Sequence, residues 1–337
     1  MTEQVTGTAI GTTEMVTLAD ISAAAERIAD TVVRTPLLPF SPAEPDRPLW
    51  IKPESLQPTA AFKLRGAYNK IKQSLPEARA RGIVAHSSGN HARSVAWLAR
   101  RLGLRAVIVM PDTAPPNKVD VVRELGAEVV LVPPALRDTH GFVLAEQYGY
   151  LPVPPFDDPE VVAGQGTVGL EIMEDLPDAD VVLVPVSGGG LAAGVATAVK
   201  ALRPETRVIG VEPELAADAE QSLREGRRLA WEPEQTYRTV ADGLRTHGLG
   251  AVPWDGIRRH LDEIVTVSEE QILDAVRRLA LDARLVSEPS GAVTFAAYLA
   301  GDTTGKHVAI LSGGSVNPPL LAGILAGPAR QEALHEQ

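Results

Sequence analysis

Six short apolar runs, separated by helical stretches, constrain the fold of this 337-residue chain more than any other feature. They occupy residues 82–85, 106–110, 129–132, 181–184, 208–211 and 307–311. Runs of this kind lack polar alternation, which is typical of parallel strands buried on both faces. Helical periodicity recurs in residues 92–102, 118–125 and 269–281. The sequence therefore predicts an α/β fold with mostly parallel, twisted sheets flanked by helices.

The length and the turn signals favour two lobes with a cleft between them. A chain of 337 residues exceeds the size of one small core. A proline-rich stretch at residues 151–159 interrupts the strand and helix pattern, which predicts a lobe boundary. Residues 1–17 are polar and predict a flexible leader. After Thr17, which suits an N-cap, apolar residues at helical spacing predict a first helix over residues 18–28.

The composition argues against several classes of function. A net charge of −11 and a pI near 5.2 disfavour attraction to a phosphate backbone, so we expect no nucleic acid partner. The absence of cysteine removes disulfides, thiolate catalysis and cysteine-based zinc sites, and it agrees with a cytoplasmic location. No apolar run reaches the roughly 18 residues that span a bilayer, and the N-terminus lacks a signal-peptide pattern. We therefore expect no membrane partner either.

One lysine is a candidate nucleophile. Lys63 lies between Phe62 and Leu64, within residues 58–66. Apolar neighbours desolvate an amine, which lowers its pKa and leaves it nucleophilic. Taken alone, the segment also fits the plain start of an amphipathic helix.

A glycine-rich turn after the run at residues 181–184 is a candidate phosphate site. Its residues are Ser187, Gly188, Gly189, Gly190 and Leu191. Bare backbone amides at the start of a helix bind phosphate well, and the helix dipole adds to this attraction. The turn also satisfies a dinucleotide-binding pattern, because Gly188, Gly190 and Ala193 precede Glu212 at the expected distance. A dinucleotide-dependent oxidoreductase is therefore an open alternative.

Three further turns carry polar residues that suit a ligand. The turn from His86 to His91 opens a helix, so its amides and hydroxyls suit a carboxylate, although helix capping explains it as well. A second glycine turn begins with Ser312, after the last apolar run. Glu212 and Asp218 follow the run at residues 208–211, where two carboxylates are most often solvated surface.

Together, these segments resemble the serine/threonine dehydratases and serine racemases, which are pyridoxal-phosphate (PLP) enzymes of the tryptophan-synthase-β type, fold type II. The resemblance begins with the lysine segment at residues 51–71 and includes both glycine turns. It extends through Ala163–Thr167, Ala241–Gly243 and Glu288–Ala292, and it covers nearly all of residues 18–325.

The resemblance also implies how the chain is divided. A discontinuous large lobe, formed by residues 18–80 and 158–337, would bind PLP. Residues 81–157 would form a small lobe inserted between the two parts. Members of the family suggest a homodimer.

Each candidate side chain receives a role from this resemblance. Lys63 would hold the PLP aldehyde as a Schiff base and act as a base at the substrate Cα, with Phe62 beside the cofactor ring. The other cofactor contacts would be Asn90, Ser187, Gly188, Gly189, Gly190, Leu191, Glu288 and Ser312. The substrate contacts would be Ser87, Ser88, Asn90 and His91. Ser88 also matches the second acid/base of racemases, and Ser312 the residue that faces the pyridine nitrogen.

The loop after residue 211 resembles a divalent-cation site of related enzymes. The resemblance implies Glu212 and Asp218 as side-chain ligands and Ala216 as a carbonyl ligand. Carboxylates, a carbonyl and waters suit a hard cation such as Mg²⁺ or Ca²⁺, with Mn²⁺ as a further option.

The chain departs from the family pattern near the expected site. Ala61 replaces a usual serine, and Ser315 replaces a usual asparagine. Arg93 and Ser94 replace a glutamine and a small residue. If Arg93 faces the cleft, its fork of donors suits the second carboxylate of an acidic substrate such as 3-hydroxyaspartate, whereas a surface position would give it no such role. Phe156 matches dehydratases, since racemases place an asparagine there.

We therefore predict a PLP-dependent ammonia-lyase that converts L-threonine or L-serine to a 2-oxo acid and ammonia. Three alternatives stay within PLP chemistry: serine racemisation, β-replacement, and dehydration of 3-hydroxyaspartate. A dinucleotide-dependent oxidoreductase and a PLP carrier without catalytic activity are more distant alternatives.

Overall fold

The structure is a computed structural model that describes residues 15–327. Its strands are β1 (Leu38–Pro39), β2 (Leu49–Pro53), β3 (Ile83–His86), β4 (Ala106–Pro111), β5 (Glu128–Val132), β6 (Leu151–Pro152), β7 (Val181–Pro185), β8 (Arg207–Pro213), β9 (Glu263–Val267) and β10 (His307–Leu311). The α-helices before residue 150 are α1 (Leu18–Ile28), α2 (Lys63–Gln73), α3 (Leu75–Arg81), α4 (Asn90–Leu102), α5 (Pro116–Glu124) and α6 (Arg137–Tyr148). Those after it are α7 (Pro159–Asp175), α8 (Gly190–Leu202), α9 (Asp218–Glu225), α10 (Pro233–Thr236), α11 (Ala251–His260), α12 (Glu269–Leu281), α13 (Pro289–Ala300) and α14 (Pro318–Ala326).

The strands form two separate sheets. The larger sheet has the order β1-β2-β10-β7-β8-β9, and the smaller sheet has the order β5-β4-β3-β6. Every neighbouring pair is parallel except β1 and β2. In the register of the larger sheet, His307 of β10 lies opposite both Leu49 and Val181. This architecture confirms the predicted α/β class with mostly parallel sheets.

All six apolar runs are strands, and the predicted first helix matches α1. Thr17 caps α1 through a reciprocal hydrogen-bonded pair with Asp20. Two predicted helix starts were wrong by two residues, since α4 begins at Asn90 and α5 begins at Pro116. Proline at the first position of a helix costs no hydrogen bond, so its presence there is compatible with the earlier start of α5.

The core packs against both faces of the larger sheet and one face of the smaller one. Helix α2 contributes Leu64, Tyr68 and Ile71 to the core of the smaller sheet. The same helix contacts α7, which packs with α8 on the larger sheet. The predicted lobe boundaries therefore stay a prediction, because α2 has contacts on both sides of the proposed division. Residues 1–14 of the predicted leader and 328–337 of the predicted large lobe lie outside the described residues.

Within residues 15–327, no helix is long and apolar enough to cross a membrane.

Candidate active site

The start of α2 is held by the turn that follows β10. The backbone amide of Phe62 donates to the carbonyl of Ser312 at 3.1 Å, and Ala61 pairs with Gly313 as an isolated bridge. Ala60 has a φ of +59°, a conformation that costs energy for a residue with a Cβ. This pairing brings Lys63 and Ser312 into one neighbourhood, as the resemblance implies.

The amine of Lys63 lies deep in the protein. Its Nζ donates to the carbonyl of Pro155 at 2.6 Å and lies 5.1 Å from the centre of the Phe62 ring. The residue as a whole is half-buried, but desolvation of its amine lowers the pKa to about 8. A substantial fraction of this amine is neutral near pH 7.5, which makes Lys63 a competent nucleophile and base.

The glycine turn between β7 and α8 forms a narrow cradle. Gly189 has a φ of +90°, where glycine is favoured, and α8 begins at Gly190 without a side-chain cap. A Cβ on Gly188 would lie 2.5–2.6 Å from carbons of the Phe156 ring. The Oγ of Ser187 is buried and has no hydrogen-bond partner among the described residues. An unpartnered hydroxyl beside free helix amides fits a bound phosphate.

Two predicted cofactor contacts meet beside the second glycine turn. The side-chain amide of Asn90 donates to Glu288, and both groups lie against Gly313. Burial raises the pKa of Glu288 to about 7, the nearby charge of Asp242 adds to this rise, and the hydrogen bond from Asn90 opposes it. Glu288 is therefore partly protonated near neutral pH.

Ser312 is buried, and its Oγ makes a long contact of 3.5 Å to the carbonyl of Ser290. This weak bond leaves the hydroxyl able to turn toward a ligand. Leu191 is also buried, in the first turn of α8.

The predicted carboxylate-binding turn lies between β3 and α4. Ser87 and Ser88 are half-buried there, and the Oγ of Ser87 accepts from the amide of Gly89 at 3.2 Å. His91 is fully enclosed, and its Nε2 lies 2.8 Å from the carbonyl of Val153. Burial lowers the pKa of His91 to about 3, and the charge of Lys63 adds to this effect. His91 is thus a neutral group, and any contact it makes to a carboxylate is not an ion pair.

The departures from the family pattern lie close together. The Nη1 of Arg93 donates to the Oγ of Ser315 at 3.4 Å, and the Ser94 hydroxyl lies 3.0 Å from that of Thr59. Ala61 contacts the same turn, through Gly313. Arg93 therefore reaches toward the Ser312 turn, and in the described chain it has no ion-pair partner within 4.0 Å.

The proposed cation ligands are two buried carboxyl groups. Glu212 ends β8 and accepts from the amides of Ala219 and Glu220 at 3.2 and 2.7 Å. Burial raises the pKa of both acids, to about 7 for Asp218, and their mutual repulsion adds to the rise for Glu212. One carboxyl oxygen of Asp218 has no partner among the described residues, and Ala216 is buried between the two acids in sequence.

An orphaned, buried carboxyl oxygen is compatible with a cation. No cluster of three or more His, Cys, Asp or Glu side chains able to hold a metal occurs in residues 15–327, so any ion here would need backbone carbonyl and water ligands as well.

Sequence reasoning missed two features of this site. The Pro155 carbonyl is the partner of Lys63, and the Phe156 ring lies over the glycine turn. The proline-rich stretch predicts only a boundary, and no local pattern in it signals contact with residues that lie far away in the chain.

This fold, with a buried lysine facing a glycine-rich phosphate cradle, defines a PLP enzyme, and the chain belongs to the pyridoxal-phosphate dependent enzyme family, which matches residues 28–313. The family prediction is confirmed. A relative named L-threonine ammonia-lyase, from Thermotoga maritima, is 44% identical over 92% of this chain and 78% of its own length.

A second relative is named L-threo-3-hydroxyaspartate ammonia-lyase. It comes from Saccharomyces cerevisiae and is 37% identical over 92% of this chain and 97% of its own length. Among solved structures, a threonine deaminase whose source is abbreviated T.th. superimposes with a TM-score of 0.84 at 44% identity, covering 89% of this chain and 99% of that one.

Proposed function

We propose that this chain is a PLP-dependent ammonia-lyase that converts L-threonine or L-serine to a 2-oxo acid and ammonia. The observation that carries the proposal is the buried amine of Lys63, whose pKa of about 8 suits both attachment of the cofactor and proton transfer. The names of the relatives support the same activity.

The residues present fit the cofactor. Ser187 and the amides of Gly188–Gly190 would hold its phosphate, and Lys63 its aldehyde. Asn90 and Ser312 would contact the ring, the latter at the pyridine nitrogen. Bound PLP withdraws electrons from the substrate Cα, and a neutral hydroxyl at the nitrogen makes that withdrawal weaker than an aspartate would.

The chain's own residues would perform binding and proton transfer. Ser87 and Asn90 lie on the turn proposed to hold the substrate carboxylate, with His91 as a neutral support. The neutral amine of Lys63 takes the Cα proton as general base. Loss of the Cβ hydroxyl then leaves an enamine, which hydrolyses to the 2-oxo acid and ammonia. Phe156, rather than asparagine, favours this elimination over racemisation through Ser88.

The test is the visible spectrum of the purified protein, with 2-oxo acid assayed after addition of L-threonine or L-serine. We expect a cofactor band and product release in the unchanged protein, and loss of both in Lys63→Ala. The control is Lys72→Ala, which removes a more exposed lysine from the same helix. Formation of a D-amino acid or of a new Cβ bond would favour the racemase or β-replacement alternative. A reconstituted protein without the band would point back to the dinucleotide site.

An acidic substrate, 3-hydroxyaspartate, is a second candidate. Arg93 lies toward the Ser312 turn without an ion-pair partner in the described chain, so its guanidinium is free to bind a second carboxylate. A relative that acts on this compound by name supports the idea.

The matched variants for this substrate are Arg93→Gln and Arg100→Gln, since Arg100 is an exposed residue of the same helix. We expect Arg93→Gln to lower activity on 3-hydroxyaspartate relative to serine by about tenfold or more, the weight of one charge-assisted contact. An unchanged ratio would remove Arg93 from substrate recognition.

We also propose that Glu212 and Asp218, with the Ala216 carbonyl, bind Mg²⁺, Ca²⁺ or Mn²⁺. A cation would offset the repulsion between two buried carboxylates. The measurement is the thermal midpoint with chelator and with each cation. We expect the cation to raise the midpoint of the unchanged protein and of Glu214→Gln, an exposed acid on the same loop, but not that of Asp218→Asn. Equal shifts in all three would place the cation elsewhere.

A cytoplasmic homodimer is the assembly we propose from the family resemblance. Light scattering during gel filtration would check the mass against the 35.8 kDa of one chain.

A further inference from the structure

Directly behind Lys63 lies a buried network of four charges. Arg65 is fully buried and grips Glu54 with two hydrogen bonds of 2.8 Å, from its Nε and Nη2. Its Nη1 and Nη2 also donate to Glu171, at 2.7 and 2.9 Å. Lys52, fully buried too, donates to Glu171 at 2.7 Å. Two cations therefore balance two anions inside the protein.

The network ties α2 to three other parts of the chain. Glu54 follows β2 and also accepts from the Thr35 hydroxyl at 2.7 Å. Glu171 belongs to α7, whose Thr167 accepts a further bond from Arg65 at 3.0 Å. Because a guanidinium is a rigid planar fork, contacts to two carboxylates fix the position of the helix that carries it.

Arg65 acts on the face of α2 opposite the active site. A residue turns the helix by about 100°, so Arg65 projects roughly 200° away from Lys63. On that far side α2 meets α7 at very short range. A Cβ on Gly164 would lie 2.7 Å from the Cα of Gly66. The two glycines allow the close approach, and Arg65 locks the helix in one rotation.

The start of α2 has little local support of its own. Phe62 stands at the N-cap without a side-chain hydrogen bond, and Ala60 has the strained φ of +59°. Buried ion networks also contribute little net stability, because desolvation of the charges offsets their attraction. What the network supplies is therefore geometry.

We propose that Arg65 is a positioning residue, which holds α2 in the rotation that directs the Lys63 amine into the cleft. Glu54, Glu171 and Lys52 hold Arg65 in turn. The inference rests on the proposed role of Lys63 as the residue that attaches the cofactor.

The test measures how fast full-length, cofactor-free protein attaches PLP at Lys63. Attached cofactor is fixed with borohydride and quantified by peptide mass spectrometry. Affinity for pyridoxine 5′-phosphate, which lacks the aldehyde, reports the rest of the site. We expect Arg65→Lys to slow attachment by about tenfold or more while this affinity is unchanged, because a displaced amine loses reactive geometry. Glu171→Gln, which keeps the pair with Glu54, should show a smaller slowing of the same kind.

The matched control is Arg34→Lys. Arg34 also joins the segment after α1 to α7, through Glu174 and Asp175, but this arginine is about half exposed. We expect its attachment rate to be unchanged.

A purely structural role for Arg65 predicts a different outcome. A variant with Lys52→Met, Glu54→Gln, Arg65→Met and Glu171→Gln removes all four charges and should regain stability toward urea. If attachment stays slow in it, the positioning role is supported. Recovery of the rate together with stability, or an unchanged rate in Arg65→Lys, would overturn the inference. Failure of the unchanged protein to attach PLP at Lys63 would instead overturn the proposed function.

Discussion

The proposed chemistry depends on the environment of a single amine. Burial alone lowers the pKa of Lys63 from 10.5 to about 8, since no charged group contributes to the shift. The Pro155 carbonyl is its hydrogen-bond partner, so the amine meets a neutral acceptor rather than a carboxylate that would keep it protonated. Glu288 shows the converse effect, in which burial keeps a carboxyl partly protonated, with a pKa of about 7.

The lowered pKa of Lys63 predicts a pH-dependent stability of the cofactor-free protein. Below pH 8 the folded state must bury a charge that the unfolded state exposes to water. Lys63→Met should therefore raise the free energy of unfolding at pH 7 by up to about 3 kcal/mol, the equivalent of a shift from 10.5 to about 8. This gain should shrink as the pH rises from 8 to 10.5, because the unfolded lysine then loses its proton too. Urea denaturation at several pH values measures it.

The control for this experiment is Lys72→Met, whose partly exposed amine pairs with Asp30. It should show no gain at pH 7. A gain of equal size at pH 7 and pH 10.5 in Lys63→Met would contradict the assignment.

Among the elements, the two glycine turns place the site at the carboxyl ends of β7 and β10. These strands are parallel neighbours in the larger sheet, so the turns that follow them emerge at one edge. The first turn offers amides at the start of α8, and the second holds the start of α2 through Ser312. Each turn thus serves one end of the proposed cofactor.

Gly188→Ala tests the fit of the first turn. The added Cβ would lie 2.5–2.6 Å from Phe156 ring carbons, so either the ring or the turn must move. We expect cofactor affinity to fall roughly tenfold, which corresponds to an overpacking cost near 1.4 kcal/mol. Fluorescence titration with PLP measures the change. Adding Phe156→Ala should restore much of the loss, whereas unchanged affinity in the single variant would show that the ring yields without cost.

Across the whole molecule, α2 is the element that joins the two sheets. Its Leu64, Tyr68 and Ile71 pack into the core of the smaller sheet. Its opposite side is fixed to α7 by Arg65 and by the approach of Gly66. A helix shared in this way couples the folding of both sheets and keeps the site between them aligned.

This coupling predicts one cooperative unfolding transition. Trp50 packs against the core of the larger sheet, and Trp97 packs against that of the smaller. Variants that keep one of these tryptophans should give the same urea midpoint. Ile71→Ala removes a fully buried side chain, so it should cost about 2–5 kcal/mol and lower both midpoints together.

Val121→Ala serves as the control, because Val121 is 37% exposed and its truncation should change either midpoint little. Midpoints that separate in Ile71→Ala would show that the sheets unfold independently.

The sequence by itself determined the parallel strands, the class of fold and the identity of the reactive lysine. Those features depend on periodicity and on turn residues that are close together along the chain, such as the glycines after β7. Tertiary structure alone decided which distant groups meet: Asn90 with Glu288, 198 residues apart, and Lys63 with Pro155, 92 residues apart. It also assembled Lys52, Glu54, Arg65 and Glu171 into one network. Such pairings depend on how the sheets and helices pack in three dimensions, and no local pattern in the sequence carries that information.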